Sequence, residues 1–174
     1  EAAAIEWKQG GGEVLPFADD LFDVITCQFG IMFMENQQQA VSEMFRVCRP
    51  GGKVCVSAFC TGPYDKSFTA RLTEHVGAEA AWSPIWAFGD PDFLPGLYAA
   101  AGFQTIEQKS VEKTTIYKSV QESIDIVVGW SPALQSMSSE QLKQLVVGME
   151  SDLAPYIGER LEVAEKANVA VGIK

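Results

Sequence analysis

Residues 10–59 constrain this chain more than any other stretch, because they pack two apolar runs around one amphipathic helix. Phe22 to Phe33 is apolar on both faces rather than alternating, the pattern of a parallel strand covered on each side. Glu35 to Cys48 follows with a helical stripe of Ala40, Met44 and Val47, flanked by Val41, Phe45 and Cys48. Pro50-Gly51-Gly52 stops that helix, since proline cannot extend it and glycine supplies the turn. Lys53 to Phe59 is then a second buried strand. Strand, helix and strand in this order predict a right-handed βαβ unit and a parallel sheet.

The remainder of the chain extends the α/β pattern. Ala2 to Trp7 reads as a short strand, and Gly10, Gly11 and Gly12 as a turn leading into the loop around Pro16 and Asp19-Asp20. Phe68, Leu72 and Val76 mark a helix that Gly77 ends, and residues 78–89 read as loop or lid. Asp90-Pro91 predicts a helix start, carried through Leu97 to Ala101 and capped by Gly102. A strand follows over Phe103 to Val111. Val120, Ile124 and Val127 stripe one helix, which Trp130 and Pro132 close. Ser138 and Gln141 open another as a capping box, with Leu142, Leu145, Met149, Leu153 and Tyr156 on its apolar face. Asn168 to Lys174 alternates as a half-buried closing strand. No linker or repeat divides the chain, so a single domain over residues 1–174 is expected.

Composition excludes several functions. Against 13 basic residues stand 23 acidic ones, a formal net charge of −10, so a polyanion such as nucleic acid is not the expected partner. Cys27, Cys48, Cys55 and Cys60 form no C-x-x-C pair and His75 is the one histidine, so no metal site is expected. The thiols read as reduced core residues of a cytoplasmic protein. The run Val24 to Met34 is far below the roughly 20 residues of a membrane helix, and no membrane association or signal peptide is expected. Glu1 is not a methionine, which fits further residues upstream.

Two sequence words carry a resemblance. They are E-x-L-P-F-x-D-x-x-F-D over Glu13 to Asp23 and E-x-x-R-V-x-R-P-G-G over Glu43 to Gly52. With the strands beside them and the helix of Leu94 to Phe103 ending Ala-Gly-Phe, they resemble class I S-adenosylmethionine-dependent methyltransferases of the UbiE-like, small-molecule group. The resemblance implies a Rossmann-like sheet with helices on both faces. Its last strand, matched by Val163 to Lys174, would be antiparallel and inserted between the strands numbered five and six in the family. It also implies that strands one and two are missing here, with the glycine-rich cofactor loop and the ribose-binding acid they carry.

The resemblance places S-adenosylmethionine against Gly11, Gly12 and Glu13 at its adenine, and against Gln28 and Phe29 at its methionine part and reacting methyl group. The plainer reading makes Glu13 solvated loop and Gln28-Phe29 strand-end packing. Trp82, Trp86 and Phe88 are candidates to line an acceptor pocket, or else to close the core. No catalytic residue is expected, because methyl transfer depends mainly on alignment. Asp19, Asp20 and Asp23 read as turn and strand-start residues, and His75 as a surface or capping residue.

The implied activity of the complete protein is methyl transfer from S-adenosylmethionine to a small-molecule acceptor, with this chain alone inactive. One alternative is a non-catalytic binding or assembly module on the same fold; another is an unrelated α/β nucleotide-binding protein. In the family resembled, strand one pairs with the strand matched by Asp23 to Phe33; with strand one missing, the resemblance implies an unpaired apolar edge there, which predicts a homodimer.

Overall fold

The computed structural model describes residues 5–77, 84–129 and 131–174. Its regular elements are β1 (Phe22–Gln28), α1 (Gln37–Val47), β2 (Cys48–Cys60), α2 (Pro63–Val76), α3 (Phe93–Ala101), β3 (Thr105–Tyr117), α4 (Val120–Val128), α5 (Pro132–Gln135), α6 (Ser139–Asp152) and β4 (Leu161–Ile173). Short 3-10 turns lie at Ile31–Phe33, Pro84–Gly89 and Ala154–Tyr156.

The strands form one sheet in the order β1-β2-β4-β3. β1 and β2 pair in parallel, Ile25 against Val54 and Cys27 against Val56, as the βαβ reading requires. β4 runs the other way. Its last residue side meets Gly51 and Gly52, through the Gly51 amide to the Lys174 carbonyl at 2.9 Å and the Lys174 amide to the Gly52 carbonyl at 3.1 Å. Further along, Val54 and Ala170 accept from the same tyrosine, so numbers rise on β2 as they fall on β4. The antiparallel closing strand therefore lies between β2 and β3, the insertion expected from the resemblance.

Two compact units share these elements. The first gathers the described residues of Glu1–Phe59, Ala87–Ser110 and Ala167–Lys174, the second those of Cys60–Trp86 and Val111–Lys166. In the first, α1 packs on α3. Its core holds Ile31, Met32, Val41, Val54, Val56 and Tyr98, all essentially inaccessible. The Tyr98 hydroxyl lies 3.2 Å from the Val54 carbonyl and 3.3 Å from that of Ala170, so burying it leaves no orphan donor. Gly172 makes room for this ring, because a Cβ there would fall 2.4 Å from Tyr98 Cδ1. In the second unit α6 packs on α2 and α4 around Leu145, Met149, Leu153, Ile124 and Leu134.

Several expectations are corrected. β1 is shorter than Phe22 to Phe33 and is not buried on both faces: it ends at Gln28, and Val24 is 60% exposed. It lies at the end of the sheet, with β2 as its one neighbour among the described residues. Pro50-Gly51-Gly52 lies inside β2 as a bulge, where pairing jumps from Phe22–Cys48 to Val24–Lys53. Gly51 takes φ +77 there, a conformation that glycine adopts without a Cβ clash. Ile5 to Trp7 form no strand and are exposed; Ala2 to Ala4 lie outside the described residues.

The helix expected at Asp90-Pro91 starts instead at Phe93, after Asp90 Oδ1 accepts from the Asp92 amide at 2.9 Å. Pro95 falls in its first turn, where a missing N–H costs no helical bond. β3 runs on to Tyr117, and β4 begins at Leu161 rather than Asn168. Tyr156 leaves the α6 stripe and is exposed, because the helix ends at Asp152 and the 3-10 turn shifts the angular phase. The capping box of Ser138 and Gln141 is present in both directions.

Candidate functional site

The two sequence words grip each other. Glu43 Oε2 accepts from the Leu15 amide at 2.8 Å. Arg46 donates to the carbonyls of Leu15 at 3.0 Å and Phe17 at 2.9 Å, and to Asp19 Oδ1 at 2.6 Å. The E-x-x-R pair of α1 thus fixes the L-P-F-x-D loop ahead of β1. Hydrogen bonding to Arg46 is the main cause that holds the Glu43 carboxyl below its ordinary value, and Glu43 is the main cause that raises the Arg46 guanidinium. The aspartates are spent in the same way, Asp19 on Arg46, Asp20 on Lys174 at 2.7 Å and Asp23 on Arg49. Among the described residues no group of three or more His, Cys, Asp or Glu could hold a metal ion.

Upstream of that loop, Gly11 and Val14 form an isolated antiparallel bridge around a turn at Gly12-Glu13. Glu13 is not merely solvated loop. Its Oε1 accepts from the amides of Glu35 at 3.0 Å and Asn36 at 3.4 Å, just ahead of α1, and its carbonyl accepts from Gln39 Nε2. Helix N-termini leave such amides without partners, and a carboxylate there is favoured by the helix dipole. Gly12 lies under Met34: a Cβ there would fall 2.4 Å from Met34 Cε. The Gly11-Gly12-Glu13 turn is therefore held against residues 34–36, which follow β1.

Gln28 and Phe29 stand at the carboxyl end of β1, the end at which open α/β sheets bind ligands. Gln28 is exposed. Phe29 takes φ +54, sparsely populated for a bulky residue, while its amide donates to the Ser57 carbonyl at 3.0 Å. Its ring stacks on Phe59 with centroids 4.3 Å apart, which is the packing role. Phe88 is fully buried and meets Phe93 edge-on at 5.2 Å, so it closes the core rather than lining an open pocket. Asn168, itself buried, donates to the Phe88 carbonyl at 3.2 Å and accepts from Ser110 at 2.6 Å. Trp82 lies outside the described residues, as does the Trp86 side chain.

Sequence reading found the E-x-x-R and L-P-F words but not what they do to one another. It also missed Met34, Asn36 and the backbone strain at Phe29, a residue it had named. The signal for the first was the regular spacing of hydrogen-bonding side chains beside a proline loop. Burial pushes the thiols of Cys27 and Cys48 up. His75 lies half-buried in the last turn of α2.

A parallel βαβ pair, an antiparallel strand inserted at the far side, and a glycine turn ahead of β1 make an arrangement similar to the class I methyltransferase fold. The chain is similar to that class in sequence over part of its length and in fold over most of it. Residues 1–73 match the ubiE/COQ5 methyltransferase family. The ubiquinone/menaquinone biosynthesis C-methyltransferase UbiE of Ruegeria sp. (strain TM1040) is 41% identical over 125 residues, covering 63% of this chain and 50% of that protein. UbiE of Roseobacter denitrificans is 46% identical over 67 residues, covering 36% of this chain and 27% of its own length.

Among solved structures, the YcgJ protein of Bacillus subtilis superposes with TM-score 0.62 at 18% identity, covering 96% of this chain and 70% of that one. A phosphoethanolamine N-methyltransferase of Haemonchus contortus, solved with S-adenosyl-L-methionine, reaches TM-score 0.50 at 17% identity over 94% of this chain and 35% of its own. These structural matches concern the fold. The chain spans about half the length, or less, of the curated relatives it matches.

Proposed function

We propose that this chain supplies the strand-four to strand-seven part of an enzyme that moves a methyl group from S-adenosylmethionine to a small-molecule acceptor. The observation that carries the reading is the Gly11-Gly12-Glu13 turn, held against residues 34–36 at the carboxyl end of β1. S-adenosylmethionine would supply an electrophilic methyl group on sulfur. The fit of the residues present is partial. Beside Gly11 the nearest atom to a Cβ would be Glu13 Oε2 at 3.7 Å, so that backbone can be approached closely. Glu13 already serves the amides before α1, and its part is to hold the turn. Gln28, exposed at the strand end, would face the methionine part, with Phe29 fixing its position through the Phe59 stack. A cytoplasmic setting suits this reading, since no helix among the described residues is long and apolar enough to cross a membrane.

Backbone at Gly11-Gly12 and one glutamine amide are few contacts for such a ligand. A hydrogen bond contributes about 0.5–1.5 kcal/mol net, and micromolar affinity needs about 8 kcal/mol. The chain by itself should therefore bind S-adenosylmethionine at millimolar strength or weaker. Calorimetric titration is the test, read beside a Gln28→Ala variant. One site per chain at a few micromolar would show that the residues present form a full cofactor pocket and would restore the enzyme reading for this chain alone. Millimolar binding that Gln28→Ala leaves unchanged would count against the place given to Gln28.

A further inference from the structure

The second unit carries an open groove that the methyl-transfer reading leaves unused. It measures about 720 Å³ and lies between the end of β3 and the turn that leads into β4. Its apolar lining is Ile116 of β3 with Pro155, Tyr156 and Ile157 of the turn. Ile116 is 52% exposed, and Tyr156 and Ile157 are each 39% exposed. Single apolar side chains left in water are ordinary, but three sharing one concave surface mark a binding place. The turn is fixed at both ends, because Leu153 and Leu161 are buried. Between them the Tyr156 amide donates to the Leu153 carbonyl at 2.8 Å, and the Gly158 amide to the Arg160 carbonyl at 3.0 Å. Ile157 and Leu161 close the turn as an antiparallel bridge.

Glu159, Arg160 and Glu162 line the same groove. All are exposed, and none is ion-paired within the described residues. The charges around them are already used. Glu122, which Arg160 reaches electrostatically, takes the Lys118 amide at 2.6 Å and its ammonium at 3.2 Å. Lys166 pairs with Glu112 at 3.2 Å. A simple anion in the groove would face two carboxylates, and a simple amine would face a guanidinium. Among the described residues no group of three or more His, Cys, Asp or Glu could hold a metal ion. A zwitterion answers both signs at once.

We propose that this groove binds a free α-amino acid with an apolar side chain. The guanidinium of Arg160 offers a planar fork of donors that suits a carboxylate. An ammonium group has three N–H donors and no acceptor, which suits the carboxylates of Glu159 and Glu162. Ile116, Pro155 and Tyr156 take the side chain, which removes apolar surface from water on both partners. Every lining residue lies in the second unit, so the proposal stands or falls apart from the cofactor reading.

The probe is L-phenylalanine, titrated calorimetrically into the full chain, where it should bind at one site. Three analogues each lack one element: 3-phenylpropionate the ammonium, phenethylamine the carboxylate and L-alanine the apolar ring. Each should bind at least about tenfold more weakly, the weight of one lost contact. Arg160→Gln should weaken L-phenylalanine about tenfold and leave phenethylamine unchanged. Glu159→Gln combined with Glu162→Gln should weaken L-phenylalanine and leave 3-phenylpropionate no weaker. These side chains are exposed, so the variants should keep the parent melting temperature, and the analogue series needs no variant at all. No heat from L-phenylalanine at millimolar concentration, an analogue bound as tightly as the amino acid, or unchanged binding in the folded variants would overturn the assignment.

Discussion

Arg46 and Glu43 meet one turn apart on α1 as a two-pronged fork, Nε to Oε1 at 2.7 Å and Nη2 to Oε2 at 2.8 Å. Both then reach the backbone of residues 15–17, so the pair is a clamp rather than a surface ion pair. Arg46→Met should loosen that loop, lower the melting temperature and open residues 15–19 to proteolysis. Glu43→Gln tests the pH dependence. Its carboxyl lies below its ordinary value of 4.5 in the folded chain, so the folded state holds its proton less tightly than the unfolded one. The stability it contributes is fully present above about pH 4.5 and is lost as pH falls through the folded value. Acid titration of the melting temperature should therefore be shallower below pH 4.5 in Glu43→Gln than in the parent.

Glu13→Ala removes the acceptor for two amides at the start of α1. The expected loss is about 0.5–2 kcal/mol, the range for helix caps. Hydrogen exchange should quicken at residues 35 and 36. Unchanged exchange there would mean that Asn36, whose Oδ1 accepts from the Gln39 amide at 2.9 Å, caps the helix sufficiently by itself.

Leu145 is wholly inaccessible in the core of the second unit. Leu145→Ala should cost about 2–5 kcal/mol by chemical denaturation, and Leu145→Asp should leave the chain unfolded at room temperature. A melting temperature unmoved by either change would contradict the burial.

β1 presents an open edge in the described sheet, with Leu21 52% and Val24 60% exposed beside it. We propose that a second copy of the chain covers it, β1 against β1 about a two-fold axis, because an apolar unpaired strand is a template for its like. Light scattering at micromolar concentration should report a dimer, and Val24→Lys should shift it to monomer. A monomeric parent chain would sink the idea.

Local chemistry reached the elements, and two sequence words the resemblance, but neither reached the edges or the locks. The α1 stripe, the Ser138 capping box and Gly102 in its left-handed cap are recoverable from sequence because each depends on residues within one or two turns. The antiparallel closing strand was legible through resemblance to known chains, since alternation alone carries no pairing direction. Burial of β1 was misread because a run of apolar residues looks the same whether or not other elements will cover both faces of the strand. The partners of Glu13, Glu43 and Arg46 lie 22 to 31 positions away along the chain, on loops without periodicity.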